Sequence, residues 1–227
     1  MIRSACTLTL IATLSAPPLY ADYYPIQPQA QAATVRLDGH TLSVDAVVQV
    51  ARFGAKVEFT QEALDSMAGN YGLLLEATAE GIPVYWFNRG SGDQRETVIF
   101  EGDAMSPTNR PVVEKVQEAS FRQAALYGVG PEVDHEEIVR AMMVVRANSM
   151  VHNAPSPALA QMIVDLLNHR ITPVVRSRGS VGEGDLGPLG NVGGTMIGVG
   201  DAYLNGERLS AREALRRSGL RSEEHTS

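Results

Sequence analysis

Apolar residues recur at helical spacing along much of the chain between residues 60 and 127. Thr60 has the character of a helix N-cap, and the helix that it opens is predicted to run to Gly81, with Pro83 ending it. Residues 112–127 are also helix-like, until Gly128 and Gly130 interrupt the pattern. The apolar stripe of the first helix comprises Leu64, Met67, Leu74 and Leu75.

Two further helices are predicted in the second half of the chain. Asp134 and Glu137 have the spacing of a capping box, and the strongly apolar run at residues 138–151 follows them. Ser156 with Pro157 then marks the start of another helix. Its apolar positions share one face, at the spacing of a bundle helix: Leu159, Met162, Ile163, Leu166 and Leu167.

The first ordered residues have a different pattern. Alternating apolar residues flank the turn Asp38-Gly39, which predicts a small hairpin: Val35, Leu37, Leu42 and Val44. Asp45 is expected to cap a short helix that ends at Gly54. Residues 84–96 are irregular and rich in glycine. The chain is therefore predicted to be mainly α with a little β.

Composition agrees with a folded, soluble protein, and the N-terminal pattern predicts export. The 227 residues are 44% hydrophobic and 20% charged, which is typical of a chain that buries a core. The net charge of −7 gives no basic surface for nucleic acid, so nucleic acid is excluded as a partner. Arg3, the apolar run at residues 5–16 and Ala21 follow the order of a signal peptide spanning residues 1–21, and residues 30–32 offer a second cleavage site.

Export would place the mature protein in the periplasm or outside the cell, free of the membrane. Cleavage would also remove Cys6, the only cysteine, and with it thiolate catalysis and disulfides. We expect residues 22–33 to be a linker and residues 34–220 to be the folded part. Residues 221–227 resemble a translated sequencing adapter. The histidines lack metal-ligand spacing, so no metal site is expected: His40, His135, His152, His169 and His225.

Several motifs in order resemble the histidine and aromatic amino acid ammonia-lyase superfamily. They are LDGHTLSVDAVVQVARFGAKVEFTQEAL, then IPVYWFNRGSG, then IVRAMMVVRANSM, then DLLNHRITPVVRSRGSVGEGDLGPLGNV. Motifs at several spaced positions are far more specific than any one of them. The resemblance implies the N-terminal part of a helical ammonia-lyase-like fold, with small β hairpins near its start and around the site loop, which comprises residues 178–189.

The loop at residues 178–189 departs from the family pattern. In the family an Ala-Ser-Gly triplet cyclises to a methylidene-imidazolone electrophile, in which serine supplies the alkene carbon. Here only Glu183 and Gly184 stand between Gly182 and Asp185. The resemblance therefore implies no such prosthetic group in this chain.

The remaining site residues are also implied by the resemblance. Tyr85 matches the tyrosine that removes the β-proton of the substrate, and the turn Glu183-Gly184-Asp185 would lie at the leaving-group end. Glu183 could equally act as a base, bind an ammonium group or cap its turn. The expected substrate-binding residues are Asn88, Gly90, Ala124, Ala125 and Asn191. At Ala124 and Ala125 the family often has a histidine, and Asn191 replaces another.

Two functions remain open from the sequence. The first is a carbon–nitrogen lyase that eliminates ammonia or another amine from an aromatic or imidazole amino acid. Some relatives eliminate without the prosthetic group, for example from the trimethylated betaine of thiol-histidine. The alternative is an inactive exported paralogue that binds an amino acid-like ligand. An aminomutase would require the missing electrophile.

The family forms homotetramers, so the full-length protein is expected to be a homotetramer. This fragment is expected to be inactive by itself. The fragment is also expected to expose apolar positions such as Leu159, Ile163 and Leu166.

Overall fold

The structure is a computed structural model, and it describes residues 26–28, 34–179 and 185–221, without the side chains of Asp185 and Leu186. The described helices are α1 (Val44–Ala51), α2 (Gln61–Ala79), α3 (Arg110–Ala124), α4 (Glu136–Met150), α5 (Pro157–Asn168), α6 (Gly190–Met196) and α7 (Ala211–Arg217). The strands are β1 (Val35–Leu37), β2 (Val57–Phe59), β3 (Val129–Glu132), β4 (Ile171–Pro173), β5 (Arg176–Arg178), β6 (Asp201–Leu204) and β7 (Glu207–Ser210). The mainly α class is confirmed.

Two predicted helix starts are confirmed by their capping hydrogen bonds. The hydroxyl of Thr60 accepts from the backbone N–H of Ala63 at 3.1 Å. The hydroxyl of Ser156 accepts from the N–H of Leu159 at 3.3 Å, and Pro157 occupies the first helical position. Each cap satisfies an N–H that has no partner within its own helix.

Two predicted caps are wrong. Ser43, and not Asp45, caps α1, because its extended backbone lets its hydroxyl accept from the N–H of Ala46 at 3.2 Å. The capping box of Asp134 and Glu137 does not form. Helix α4 begins at Glu136, and the Glu137 carboxylate instead accepts from Arg52 at 2.7 and 3.0 Å.

The predicted hairpin at the start is also wrong. Strand β1 pairs in parallel with β2, with Val35 opposite Val57. The carboxylate of Asp38 accepts from the N–H groups of His40 and Thr41 at 2.7 and 2.8 Å. This turn directs the chain into α1, so no second strand returns along β1.

The other strands form two small antiparallel sheets. One sheet has the order β4-β6-β7, and β6 and β7 are joined by the turn Asn205-Gly206, in which both residues have positive φ. The other sheet pairs β3 with β5 beside the site loop. That pair is not the hairpin expected there, because α4, α5 and β4 lie between its strands in the sequence.

The core is centred on α4 and α5, with α1, α2 and the sheets packed around them. Met67, Met143 and Val144 are buried within it. The expectation that Ile163 and Leu166 are exposed is wrong, because only 4% and 0% of their surfaces are accessible. Among the described residues, no helix has the length and apolar character needed to span a bilayer.

A buried arginine joins three of these helices. Arg140, on α4, is 5% exposed, and its guanidinium donates to the carbonyls of Val50 and Ala51 at 3.0 and 3.2 Å. It also donates to the carbonyl of Leu167 at 3.3 Å. The carbonyls of Val50 and Ala51 belong to the last turn of α1, where the helix supplies no N–H partner. The carbonyl of Leu167, in the last turn of α5, also accepts from the N–H of Arg170 at 3.3 Å. Arg140 therefore satisfies two helix ends at once.

Replacing Arg140 by Met should lower the free energy of unfolding by about 2 to 4 kcal/mol, because buried carbonyls lose their donors. Urea denaturation measures the change. Arg146→Met is the matched control, since Arg146 is exposed on the same helix. It should alter the free energy by no more than about 0.5 kcal/mol. Equal effects of the two substitutions would contradict the role of Arg140.

Candidate active site

The tyrosine loop is the segment from Ile82 to Gly92, and Asn88 holds it together. Its side chain is buried, accepts from the N–H of Val84 at 2.7 Å and donates to the carbonyl of Ile82 at 2.9 Å. Trp86, inside this closed turn, has a φ of 59°, which is uncommon for a residue with a side chain. Asn88 thus shapes the loop, and its predicted contact with substrate stays a prediction.

Tyr85 extends outward from the tyrosine loop. Its side chain is 57% exposed, and its ring packs edge-on against that of Trp86 with centroids 6.2 Å apart. The phenol oxygen accepts from the backbone N–H of Gly92 at 3.1 Å. Gly90 allows the loop to close, because a Cβ there would lie 2.3 Å from the carbonyl oxygen of Gln94. The phenol is therefore accessible and held at its oxygen.

Glycines bring the segments that frame the site loop into close contact. A Cβ on Gly190 would lie 2.3 Å from the carbonyl oxygen of Ala124. A Cβ on Gly179 would lie 2.1 Å from the carbonyl oxygen of Tyr127, and Gly179 has a φ of 113°. Both contacts are with backbone, which cannot move aside as a flexible side chain can. The end of α3 consequently lies directly against both ends of the site loop.

Asn191 fixes the same arrangement by hydrogen bonds. Its Oδ1 accepts from the N–H of Arg176, at the start of β5, at 2.9 Å. Its Nδ2 donates to the carbonyl of Ala125, just after α3, at 2.9 Å. The side-chain amide therefore joins α3, β5 and α6. This structural role explains an asparagine at this position, whereas its predicted contact with substrate remains a prediction.

Ala124 and Ala125 occupy different surroundings. Ala125 packs on α6, where a Cβ on Gly194 would lie 2.6 Å from the Cβ of Ala125. Ala124 lines a mainly apolar cavity of about 380 Å³ between α2, α3, α5 and α6. Trp86 and Phe87 of the tyrosine loop line the same cavity. Tyr71 lies on its wall, where partial burial raises the pKa of the phenol.

The interior of the site loop lies outside the described residues. Glu183 and Gly184 belong to it, and for Asp185 only the backbone is described, as the first residue of the π-helical turn Asp185–Leu189. The structure therefore does not test the predicted positions of these three residues. The described parts of the chain hold no group of three or more His, Cys, Asp or Glu side chains that could bind a metal.

The sequence matches the family described as aromatic amino acid lyase over residues 42–225, and the chain belongs to that family. It is 34% identical over 189 residues to histidine ammonia-lyase 2 of Fusobacterium nucleatum, covering 82% of this chain and 35% of that enzyme. It is 36% identical over 190 residues to histidine ammonia-lyase of Symbiobacterium thermophilum, with the same coverage of both chains. The chain thus spans about a third of the length of these relatives.

Solved structures agree with this assignment. The ergothioneine-degrading enzyme ergothionase from Treponema denticola, in complex with desmethyl-ergothioneine sulfonic acid, is 30% identical, with a TM-score of 0.72. The match covers 84% of this chain and 36% of that one. Histidine ammonia-lyase from Trypanosoma cruzi, 24% identical with a TM-score of 0.69, shares the fold. The recognition of the superfamily and of an N-terminal part of its fold is confirmed.

The glycine contacts predict opposite effects of two Gly→Ala substitutions in helices. Gly190→Ala should destabilise the chain by about 1 to 3 kcal/mol, because the new methyl group meets the backbone at Ala124. Gly72 lies at an exposed position of α2, where a Cβ would meet nothing within 4 Å. Gly72→Ala should therefore stabilise the chain by about 0.5 to 1 kcal/mol. Thermal and urea unfolding of both variants measures this. A stabilising Gly190→Ala would refute the close contact.

Proposed function

We propose that the full-length protein is a carbon–nitrogen lyase that eliminates an amine from an aromatic or imidazole amino acid. The observation that carries the proposal is the exposed phenol of Tyr85, presented by a closed loop in a chain of the aromatic amino acid lyase family. The histidine ammonia-lyases among its relatives support the substrate class.

In the proposed reaction, Tyr85 acts as the phenolate, and its oxygen accepts a proton from the carbon next to the ring. The electrons of that C–H bond form a carbon–carbon double bond, and the amine leaves with the electrons of the C–N bond. The N–H of Gly92, which donates to the Tyr85 oxygen at 3.1 Å, would stabilise negative charge on it. A positioned base of this kind contributes roughly 10²- to 10⁴-fold to a rate.

The site loop does not fit the methylidene-imidazolone group, because no serine stands between Gly182 and Asp185. The proposed reaction therefore does not pass through that group. A trimethylammonium group cannot lose its positive charge by deprotonation, as an ammonium group can, and it leaves as neutral trimethylamine, so it needs less assistance than ammonia. The 30% identity to an ergothioneine-degrading enzyme supports a betaine of this type as the substrate. The carboxylate of Glu183 would then attract the cationic end of the substrate.

We propose a homotetramer in the periplasm or outside the cell, supported by the leader-like residues 1–21 and by exposed apolar side chains such as Val44, Leu73 and Leu126.

Turnover by the full-length protein tests the proposal. With histidine, phenylalanine, tyrosine and ergothioneine offered separately, we expect ultraviolet absorbance of a conjugated acid to rise with at least one substrate, ergothioneine foremost. Tyr85→Phe should lower kcat by at least about 100-fold, because the proton acceptor is lost.

Tyr203→Phe is the matched control. Tyr203 donates to Glu132 at 3.1 Å outside the tyrosine loop, so its replacement should leave kcat unchanged. Absence of product from every substrate, together with binding that Tyr85→Phe does not alter, would replace the lyase with the alternative of an inactive amino acid-binding paralogue. Full activity of Tyr85→Phe would remove the tyrosine from the mechanism.

A further inference from the structure

A second, polar pocket of about 560 Å³ lies between the end of α1, the start of α4, strand β4 and the β6–β7 turn. None of the residues predicted for the lyase site lines it. The charged and titratable side chains that do are Arg52, His135, Glu136, Glu137, Arg140 and Arg170.

Positive charge in this pocket exceeds negative charge. Arg52 and Glu137 neutralise each other through two hydrogen bonds. Arg140 and Arg170 then face the single carboxylate of Glu136. Burial, together with repulsion from Arg170, lowers the pKa of Arg140 to about 10, so the guanidinium is still charged at neutral pH.

Hydrogen-bond donors in this pocket also exceed the acceptors. A guanidinium has five N–H groups. Arg140 makes three hydrogen bonds to carbonyls, which leaves two N–H groups over. Arg170 is exposed, and within the described parts of the chain no hydrogen bond or ion pair engages its guanidinium.

The backbone of Arg170 is held in an uncommon conformation. It follows the C-cap of α5 with a φ of 58°, at the position where helices usually have glycine. Gly54 makes room for its guanidinium, because a Cβ there would lie 2.2 Å from Nη2 of Arg170. A strained residue whose charge has no partner among the described residues indicates a role other than stability.

We propose that this pocket binds a small oxyanion, a phosphate or carboxylate group, through the guanidinium groups of Arg170 and Arg140. Planar guanidinium groups match the paired oxygens of both anions. One negative charge would balance the excess, and the volume leaves space for the remainder of a small metabolite.

Thermal unfolding of the full 227-residue chain tests the proposal. Sodium phosphate and sodium succinate are titrated separately against sodium chloride at equal ionic strength, because a ligand that binds the folded state raises Tm. Phosphate or succinate should raise Tm above the chloride value. A rise with phosphate indicates a phosphate ligand, and a rise with succinate indicates a carboxylate ligand.

Three variants locate the effect. Arg170→Gln should raise the apparent Kd by at least about tenfold. Arg146→Gln removes the same charge from an exposed position on α4 and should retain the parent Kd. Arg170→Gly relieves the strained backbone, so it should raise Tm without anion and abolish the response to anion. An equal response in Arg170→Gly and the parent, or no response beyond chloride in the parent, would overturn the proposal.

Discussion

The side-chain amide of Asn191 is the interaction on which the arrangement around the site loop depends. It joins the end of α3 to the start of β5 through two hydrogen bonds of 2.9 Å. Nearby glycines let the same segments approach within backbone contact, at Gly179 and Gly190. A larger side chain at either glycine would separate α3 from the loop. The described ends of the loop are therefore held by contacts with α3 and by the hydrogen bonds of Asn191.

Helices that start with a local signal could be predicted from the sequence. Thr60 and Ser156 cap their helices through N–H groups three residues later, so the whole signal lies within one turn. The capping box at Asp134 failed for a different reason, because Glu137 pairs with an arginine 85 residues away. The parallel pairing of β1 with β2 is likewise a tertiary contact that alternation cannot reveal.

The candidate site also combines features that the local sequence predicts with features that depend on tertiary contacts. The loop around Tyr85 could be predicted from its motif, since the neighbours of Tyr85 in the sequence form that loop, whereas the role of its phenol stays a prediction. The roles of Asn88 and Asn191 could not, because an asparagine has the same character whether it binds a ligand or a backbone. Arg140 did leave a signal. A charged residue in the apolar run 138–151 must be buried with partners or displaced from the core face, yet the partners themselves lie on other helices.

Helix α6 depends on α3 for its stability. Three of its seven residues are glycine, and each costs roughly 1 kcal/mol of intrinsic helix stability relative to alanine. Such a segment is not helical by itself and acquires its structure when Phe121 of α3 and Ala125, just after α3, pack on it. Its amide hydrogens should accordingly exchange with solvent whenever α3 undocks. The described C-terminal end of the site loop, at Leu189 and Gly190, therefore depends for its stability on the packing of α3 against α6.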